Sequence, residues 1–536
     1  MERIDRRQLV RAAEDRFDLL VIGGGATGAG VALEAATRGL KTLLVEKYDF
    51  AAQTSSRSTK LVHGGVRYLE AAIKRFDRVQ WNLVRDALRE RATFLRIAPH
   101  LAWKIELLTP LYRAYEIPYY LTGLKLYEAL AGRAGIGRAY FLPAASAKAR
   151  YPQLKPEGLK GAVVYADGQF DDARMNLAVV LTALEAGAVV LNHAEVTGFL
   201  FESGRVVGAE VKDLLSGGRF AVRADMVVNA TGPFTDRLRR LADPEAEPML
   251  VTSSGVHLVL PGRYAPMDTG LLIPKTEDGR VLFVLPWEGY TLAGTTDEPA
   301  EVTEHPRPSE GEIGYILRHL SRHFALEVGR EQIRSAWSGL RPLVRDPRAK
   351  DTAQLARDHV IHEEKNGLVT IAGGKWTTYR KMAEDLVDYL DRTRGLGLPA
   401  SRTAGHVLVG GRDYDPEEEA ELALQIDPDT ARHLAHTYGD RARAVLALAR
   451  ERDLFSRLVP GQPFLEAEVV WAARYELAET PLDFVERRVR LAFLEVEAAR
   501  KALPRITELM REEKGWSASE AERLRKQADD WLALAP

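Results

Sequence analysis

The sequence predicts an α/β chain with a strand-rich middle and a separate α-helical end. Three observations predict it. Strand, glycine turn and helix alternate over residues 17–47, and the alternation returns at 224–236 and 368–390,. Between these segments, 251–300 carries short runs of Val, Leu, Phe and Thr broken by Gly and Pro, the pattern of strands,. Beyond about residue 400 the composition turns to Ala, Glu, Arg and Leu,. At 536 residues the chain is too long for one core, so two or three domains are expected,.

The elements follow in order. Phe17 to Ile22 is a short apolar run that reads as a buried strand, Ala26 to Arg38 is a helix of small residues, and Gly39 is placed to stop it,. Leu43, Leu44 and Val45 form the next strand, which completes a βαβ opening,. Residues 103–141 hold Trp103, Tyr112, Tyr115, Tyr119, Tyr120, Tyr127, Tyr140 and Phe141 among leucines and basic residues. Two readings stand: an aromatic part of a substrate domain, or a surface that sits in a lipid headgroup layer. A helix over 176–186 leads to the strand "AVVLNHAEV", then to a charged hairpin and the buried strand of "ADMVVNATGPFTD". "LVTIAGGKWTTYRKMAEDLVDYL" is one more strand, Gly turn and helix. Thr480 with Pro481, and Ser517 with Glu520, are helix-start signals in the terminal part,.

Composition removes several function classes. Lys+Arg is 74 and Asp+Glu is 76, so the charges nearly cancel and a general nucleic-acid coat is excluded,. The absence of cysteine removes disulfides, thiolate nucleophiles, iron–sulfur clusters and Cys-based zinc sites, and no metal site is expected,. The first sixteen residues are crowded with charge, so no secretory signal is read there,. No apolar run reaches the ~18 residues that span a bilayer. A cytosolic protein, or one on a membrane face, is expected.

The glycine loop is Gly23-x-Gly25-x-x-Gly28. Its first glycine allows the tight turn, the second lets a pyrophosphate approach the backbone, and the third lets helix and strand pack closely. The helix start adds N–H donors and a positive dipole end. Glu46 closes the second strand, where a carboxylate takes ribose hydroxyls and repels a 2′-phosphate, which disfavours NADP,. The loop alone leaves NAD and FAD open. The stretch "TSSRSTKLVHGGVRYLE" (54–70) is polar, with little apolar periodicity, and reads as the lining of a site,. Ser55, Ser56, Ser58 and Thr59 offer hydroxyls, Lys60 a cation, and Gly64 and Gly65 room for a flat ring,.

With "GGGATGAG", "TSSRSTKLVHGGVRYLE", "NATGPFTD", "WSGLRPLVRD" and "GGKWTTYRKMAE" in this order, the chain resembles the FAD-dependent glycerol-3-phosphate dehydrogenases over about residues 15–530. The resemblance implies a glutathione-reductase-like, FAD-binding Rossmann domain formed by 15–90, 160–236 and 360–397. An inserted mixed-sheet substrate domain takes 91–159 and 237–359, and a C-terminal α-helical domain 398–536. It implies FAD on Gly23, Gly25, Ala26, Thr27, Gly28 and Glu46, with the flavin against Ser55, Ser56, Lys60, His63 and Gly64. Glu195 and Val196 would reach the adenine, Ala230, Thr231 and Gly232 the pyrophosphate side, and Gly374, Lys375 and Thr377 the pyrimidine end. The family's substrate site matches Arg67, Tyr68, Arg341, Arg357 and Lys375.

The residues support this on their own chemistry. A phosphate asks for planar guanidinium donors, and neither Arg341 in "SGLRPL" nor Arg357 in "LARDHV" lies on an obvious amphipathic helix,. The expected reaction takes a hydride from C2 of glycerol 3-phosphate to the flavin N5. His257, in "SSGVHLVL", is the candidate base, with His63 as a rival and a neighbouring arginine as an alternative aid,. Lys375 and the helix start after it would stabilise negative charge at the flavin N1/O2 edge. The resemblance implies a membrane quinone as acceptor; the aromatic, basic composition of 103–141 would suit docking at the inner face of the cell membrane, and a homodimer is admitted. The rivals are a glycerol-3-phosphate oxidase that makes hydrogen peroxide, an amine or amino-acid oxidase, and a flavin-binding protein without dehydrogenase activity.

Overall fold

In a computed structural model, residues 2–65, 78–277, 279–345 and 359–534 are described. Among them, two large sheets and a helical C-terminal part carry the architecture. The first sheet has a parallel centre: Val369–Gly373, Arg219–Asn229, Arg16–Ile22, Thr42–Val45 and Val189–Leu191 lie side by side in that order. His359–Glu363 adds an antiparallel edge, and the hairpin Ala194–Glu202/Arg205–Asp213 pairs with the first half of Arg219–Asn229. The central strands are buried along Leu19–Ile22 and Thr42–Val45, as expected of a parallel sheet covered on both faces,.

One cover is the helix Ala26–Thr37, which packs between the helices Asp172–Glu185 and Tyr379–Arg394. Its small residues permit that approach. A Cβ at Gly28 would stand 1.8 Å from the Gly23 carbonyl oxygen, so this position admits no side chain at all,. The charged hairpin is present as predicted, but "AVVLNHAEV" is two strands. His193 takes φ 53° and turns the chain between Val189–Leu191 and Ala194–Glu202. The helix expected over 176–186 starts earlier, because the Asp171 carboxylate accepts from the Arg174 N–H at 3.0 Å and caps it,.

The second sheet is mixed. Leu250–Pro261 pairs on one side with Ser335–Val344 and on the other with Tyr290–Gly294. The sheet continues through Leu282–Trp287, Thr269–Ile273, Ala102–Leu111 and Gly161–Phe170. Gly161–Phe170 lies within the 160–236 span expected for the first domain. The structure puts it in the second sheet, where it pairs antiparallel with all of Ala102–Leu111. The aromatic segment 103–141 is divided as well. Its first part, to Leu111, is that sheet strand, with Trp103 Nε1 donating to Gln169 Oε1 at 3.2 Å. Tyr127 is buried, whereas Tyr115 and Tyr119, at the start of the helix Glu116–Ala131, are 66% and 51% exposed.

Beyond residue 400 the described chain is helical. Ser517 accepts from the Glu520 N–H and caps Ala518–Leu532. Thr480 caps only one turn, Pro481–Asp483, which passes into a π-helical turn, Phe484–Arg488. Among the described residues no helix is long and apolar enough to cross a membrane.

Candidate active site

A cavity of about 600 Å³ opens at the carboxyl ends of the parallel strands, where the glycine turn leaves Ile22,. Gly23, Gly25, Ala26 and Thr27 form its floor. At one end it meets Glu46, Glu195 and Val196; it passes Ala230, Thr231 and Gly232; it ends at Ser55, Gly374 and Lys375. The Glu46 carboxylate is aimed by the backbone, accepting from the Gly24 N–H at 2.6 Å and the Tyr48 N–H at 3.0 Å. Burial pushes its carboxyl above the usual range, and the two N–H donors oppose that,.

Gly28, Ser56, Lys60, His63, Gly64 and Thr377 do not line this cavity. Gly28 packs helix on turn. The Gly64 N–H donates to the Tyr127 hydroxyl at 2.7 Å, and His63 faces Phe283 with ring centroids 6.4 Å apart. Lys60 is fully buried, its Nζ on the Ser56 carbonyl at 3.0 Å and Asp172 Oδ2 at 2.7 Å. Thr377 is buried in the Trp376–Thr378 turn, which separates Lys375 from the helix Tyr379–Arg394, so the helix proper begins four residues beyond the lysine. Arg67, Tyr68 and Arg357 lie outside the described residues.

The polar loop is held against both sheets. Ser55 Oγ accepts from the Ala26 N–H at 2.9 Å, at the helix start. The Ser55 carbonyl accepts from Trp376 Nε1 at 2.8 Å, and Thr54 Oγ1 donates to the Leu340 carbonyl at 2.6 Å. The last bond carries the cavity wall to the strand that bears Arg341, and Pro342 lines the cavity itself.

In the register of the second sheet, Ser253 faces Arg341 and His257 faces Trp337. Alternation along the strands puts His257, Trp337 and Arg341 on one face. Gly255 makes room for the guanidinium, since a Cβ there would meet Arg341 Nη2 at 2.2 Å. Arg341 donates to the Ser254 carbonyl, Asp297 Oδ1, Thr295 Oγ1 and the Thr296 carbonyl at 2.9–3.1 Å. Its side chain keeps 21% exposure, so the fork is anchored yet reachable. The His257 ring stacks on Trp337 at 4.3 Å, and its Nε2 meets Thr59 Oγ1 at 2.9 Å. Burial, Lys60 and Arg341 hold its imidazole well below the usual histidine range, so it is neutral,.

Sequence reasoning missed Glu304. It accepts from Lys47 Nζ at 2.6 Å, from the Tyr48 hydroxyl and from Arg237, and its carbonyl accepts from Gln53 Nε2 at 3.0 Å. Glu304 thus joins a loop between two strands of the second sheet, Glu298–Pro299 and Ser335–Val344, to the residues following Glu46, at the wall of the cavity. Nothing in its Glu- and Pro-rich surroundings signals this, because all four partners are distant in sequence.

The arrangement fits an extended dinucleotide: a carboxylate for the ribose, a glycine turn at a helix start for the pyrophosphate, and a cation at the far end. Glu46→Ala is expected to weaken cofactor retention, read as the flavin left after gel filtration. Full flavin occupancy would contradict the role.

Residues 18–380 match the model of the FAD dependent oxidoreductase family, and residues 401–521 match the C-terminal domain of alpha-glycerophosphate oxidase. The mitochondrial glycerol-3-phosphate dehydrogenase of Mus musculus is 49% identical over 96% of this chain and 72% of its own length. That of Arabidopsis thaliana is 44% identical over 98% of this chain and 87% of its own. The glycerol-3-phosphate dehydrogenase from Bacillus halodurans, solved in complex with FAD, superposes with a TM-score of 0.80 at 32% identity, covering 99% of this chain and 97% of that one. The chain belongs to the FAD-dependent glycerol-3-phosphate dehydrogenases, and FAD is its cofactor.

Proposed function

We propose that this enzyme oxidises sn-glycerol 3-phosphate at C2 to dihydroxyacetone phosphate and passes the electrons to a membrane quinone. The observation that carries the reading is the anchored, partly exposed Arg341 fork, one residue from the cavity wall and on the same strand face as a neutral histidine. FAD, when bound, supplies the hydride acceptor at N5. Arg341 presents its guanidinium charge to the substrate phosphate, which exchanges for some of the bonds that hold its four terminal N–H groups; Arg67, Tyr68 and Arg357, which lie outside the described residues, are carried over from the resemblance as further members of the site,. Lys375 holds negative charge at the inner end of the cavity,. His257 takes the C2 hydroxyl proton at Nε2, the nitrogen that already meets Thr59,.

His257→Asn is expected to lower kcat by about 100- to 10,000-fold. Because burial and two cations hold this imidazole far below its ordinary value of about 6.5, the neutral base is fully present from mildly acidic pH upward,. The kcat/KM profile should therefore show no histidine limb near 6.5. A limb there that disappears in His257→Asn would contradict the depressed imidazole.

For the acceptor, the reading rests on Tyr115 and Tyr119, large exposed aromatics beside Arg113 that suit a headgroup layer at the inner membrane face,. The test is turnover in air with a short-chain quinone, with and without liposomes. Quinone reduction that rises with lipid supports the proposal. Stoichiometric peroxide without quinone would make the enzyme an oxidase, and lipid-independent turnover with no liposome binding would remove the membrane surface.

A further inference from the structure

Beneath the turn that carries Ser55, two buried cations share one carboxylate. Lys60 Nζ and Arg490 Nη2 both donate to the Ser56 carbonyl oxygen, at 3.0 and 2.6 Å. Both also face Asp172, Lys60 at 2.7 Å from Oδ2 and Arg490 at 3.5 Å from Oδ1. Lys60 and Asp172 are wholly buried and the Arg490 side chain is 2% exposed. Asp172 further accepts from the Ser58 N–H at 2.9 Å and the Ser58 hydroxyl at 2.8 Å. One carboxylate thus fixes both sides of the Ser56–Lys60 turn.

The remaining charged neighbours are Asp171, which acts on Lys60, Glu288, whose carboxyl burial raises and Arg490 lowers, and Glu486. Asp171 caps its own helix through the Arg174 N–H. Glu486 pairs with Arg57 and Arg487. His257 is neutral. Aromatic rings close the unit from water: Lys60 Nζ lies 5.0 Å from the Trp287 centroid and 4.8 Å from that of Trp337, and the Arg490 guanidinium lies 4.4 Å from that of Phe493,. The crowding of positive charge is felt by Lys60 itself. Burial, with Arg490 adding to it against Asp172, brings its ammonium down to about 8.

Arg490 reaches this place from the far end of the chain. It takes φ 59° between the Phe484–Arg488 turn and the short helix Leu491–Leu494, and its Nη1 is tied to the Glu486 carbonyl at 2.9 Å. The helical part is therefore wired into the cofactor loop by a charge, where an apolar side chain would have filled the same space at less desolvation cost.

We propose that Lys60, Asp172 and Arg490 form a buried charge unit through which the C-terminal helical part raises the reduction potential of the flavin. The proposal rests on the reading that the isoalloxazine lies beside Thr54 and Ser55, the residues of this stretch that line the cavity. Reduction by two electrons and a proton builds negative charge on the ring, and two cations against one carboxylate, meeting the Ser56 carbonyl one residue beyond the cavity-lining Ser55, favour that state without touching it,. These are positioning residues: they hold the turn and set its field.

The test compares the midpoint potentials of the FAD-loaded full chain and its Lys60→Met, Arg490→Met, Lys60→Arg and Asp172→Asn variants, by dye equilibration at about pH 6, where Lys60 is charged. Lys60→Met and Arg490→Met should shift the potential to more negative values and slow flavin reduction by glycerol 3-phosphate, with KM little changed. Asp172→Asn should shift it in the opposite direction, and Lys60→Arg should leave it near wild type. A merely structural role would move all disruptive variants the same way. Shifts of one sign, or none, overturn the proposal, as does loss of flavin in Lys60→Arg, which keeps the charge. If Lys60→Met and Arg490→Met do not fold, the sign of the Asp172→Asn shift decides. Altered flavin spectra with unchanged potentials would overturn the charge unit while leaving the reading that this stretch lies beside the ring.

Discussion

Asp49→Ala is expected to cost about 3 kcal/mol of stability, because it strips the carboxylate from between two buried guanidinium groups, leaving, among the described residues, Arg488 without a close carboxylate and Arg487 with only Asp483 and Glu486,. Asp49 is completely buried. Its Oδ2 accepts from Arg487 Nε at 2.6 Å and Arg488 Nη1 at 2.7 Å, and its Oδ1 accepts from Arg488 Nη2 at 3.1 Å and Asn192 Nδ2 at 3.0 Å. Arg487 also reaches Asp483, which holds His193 at 2.9 Å, and Arg488 also donates to the Glu476 carbonyl at 2.7 Å. The network joins the helical C-terminal part to the loop just after Glu46. Its loss should therefore lower the midpoint of thermal unfolding and release flavin together. Asp49→Ala with an unchanged midpoint and full flavin would show that the network contributes little.

Arg341→Ala should weaken the apparent affinity for glycerol 3-phosphate by about 2–4 kcal/mol, with a smaller change in kcat, if its fork meets the phosphate as a charge-assisted pair. Arg341→Lys should recover only part, since a single ammonium cannot reproduce the paired donors. The bonds to Ser254, Thr295, Thr296 and Asp297 occupy the four terminal N–H groups, so the phosphate must exchange for part of them, which places the expected loss at the lower end of that range,. Steady-state kinetics with glycerol 3-phosphate as the varied substrate decide it, and an unchanged KM would remove Arg341 from the site.

What was legible in the sequence was local. The glycine turn, Glu46 and the small-residue helix follow from neighbours in the chain, and so do the Ser517 cap and the Gly374–Lys375 turn. The residues that join distant segments were not legible. Lys60 reads as a polar loop cation, but its place under Trp287 and Trp337 is decided by two strands of the other sheet. Glu304 and Arg490 look like surface charges in charged surroundings. They are buried or bridging because partners 250 and more residues away meet them. The aromatic run at 103–141 could not be divided by composition: seven of the ten residues of its first strand are buried in a sheet, while Tyr115 and Tyr119 at the helix start, and Tyr140, turn outward. The pair Arg341 and His257, 84 residues apart, needed the strand register before it could be seen as one face.

The central claim is that a bound flavin takes the hydride of glycerol 3-phosphate in this cavity. The most direct measurement is the visible absorption spectrum of the purified protein before and after anaerobic addition of glycerol 3-phosphate. The account predicts a flavin band that bleaches on addition, with dihydroxyacetone phosphate formed in equal amount. A band that stays unchanged with glycerol 3-phosphate but bleaches with glycine or sarcosine would contradict it.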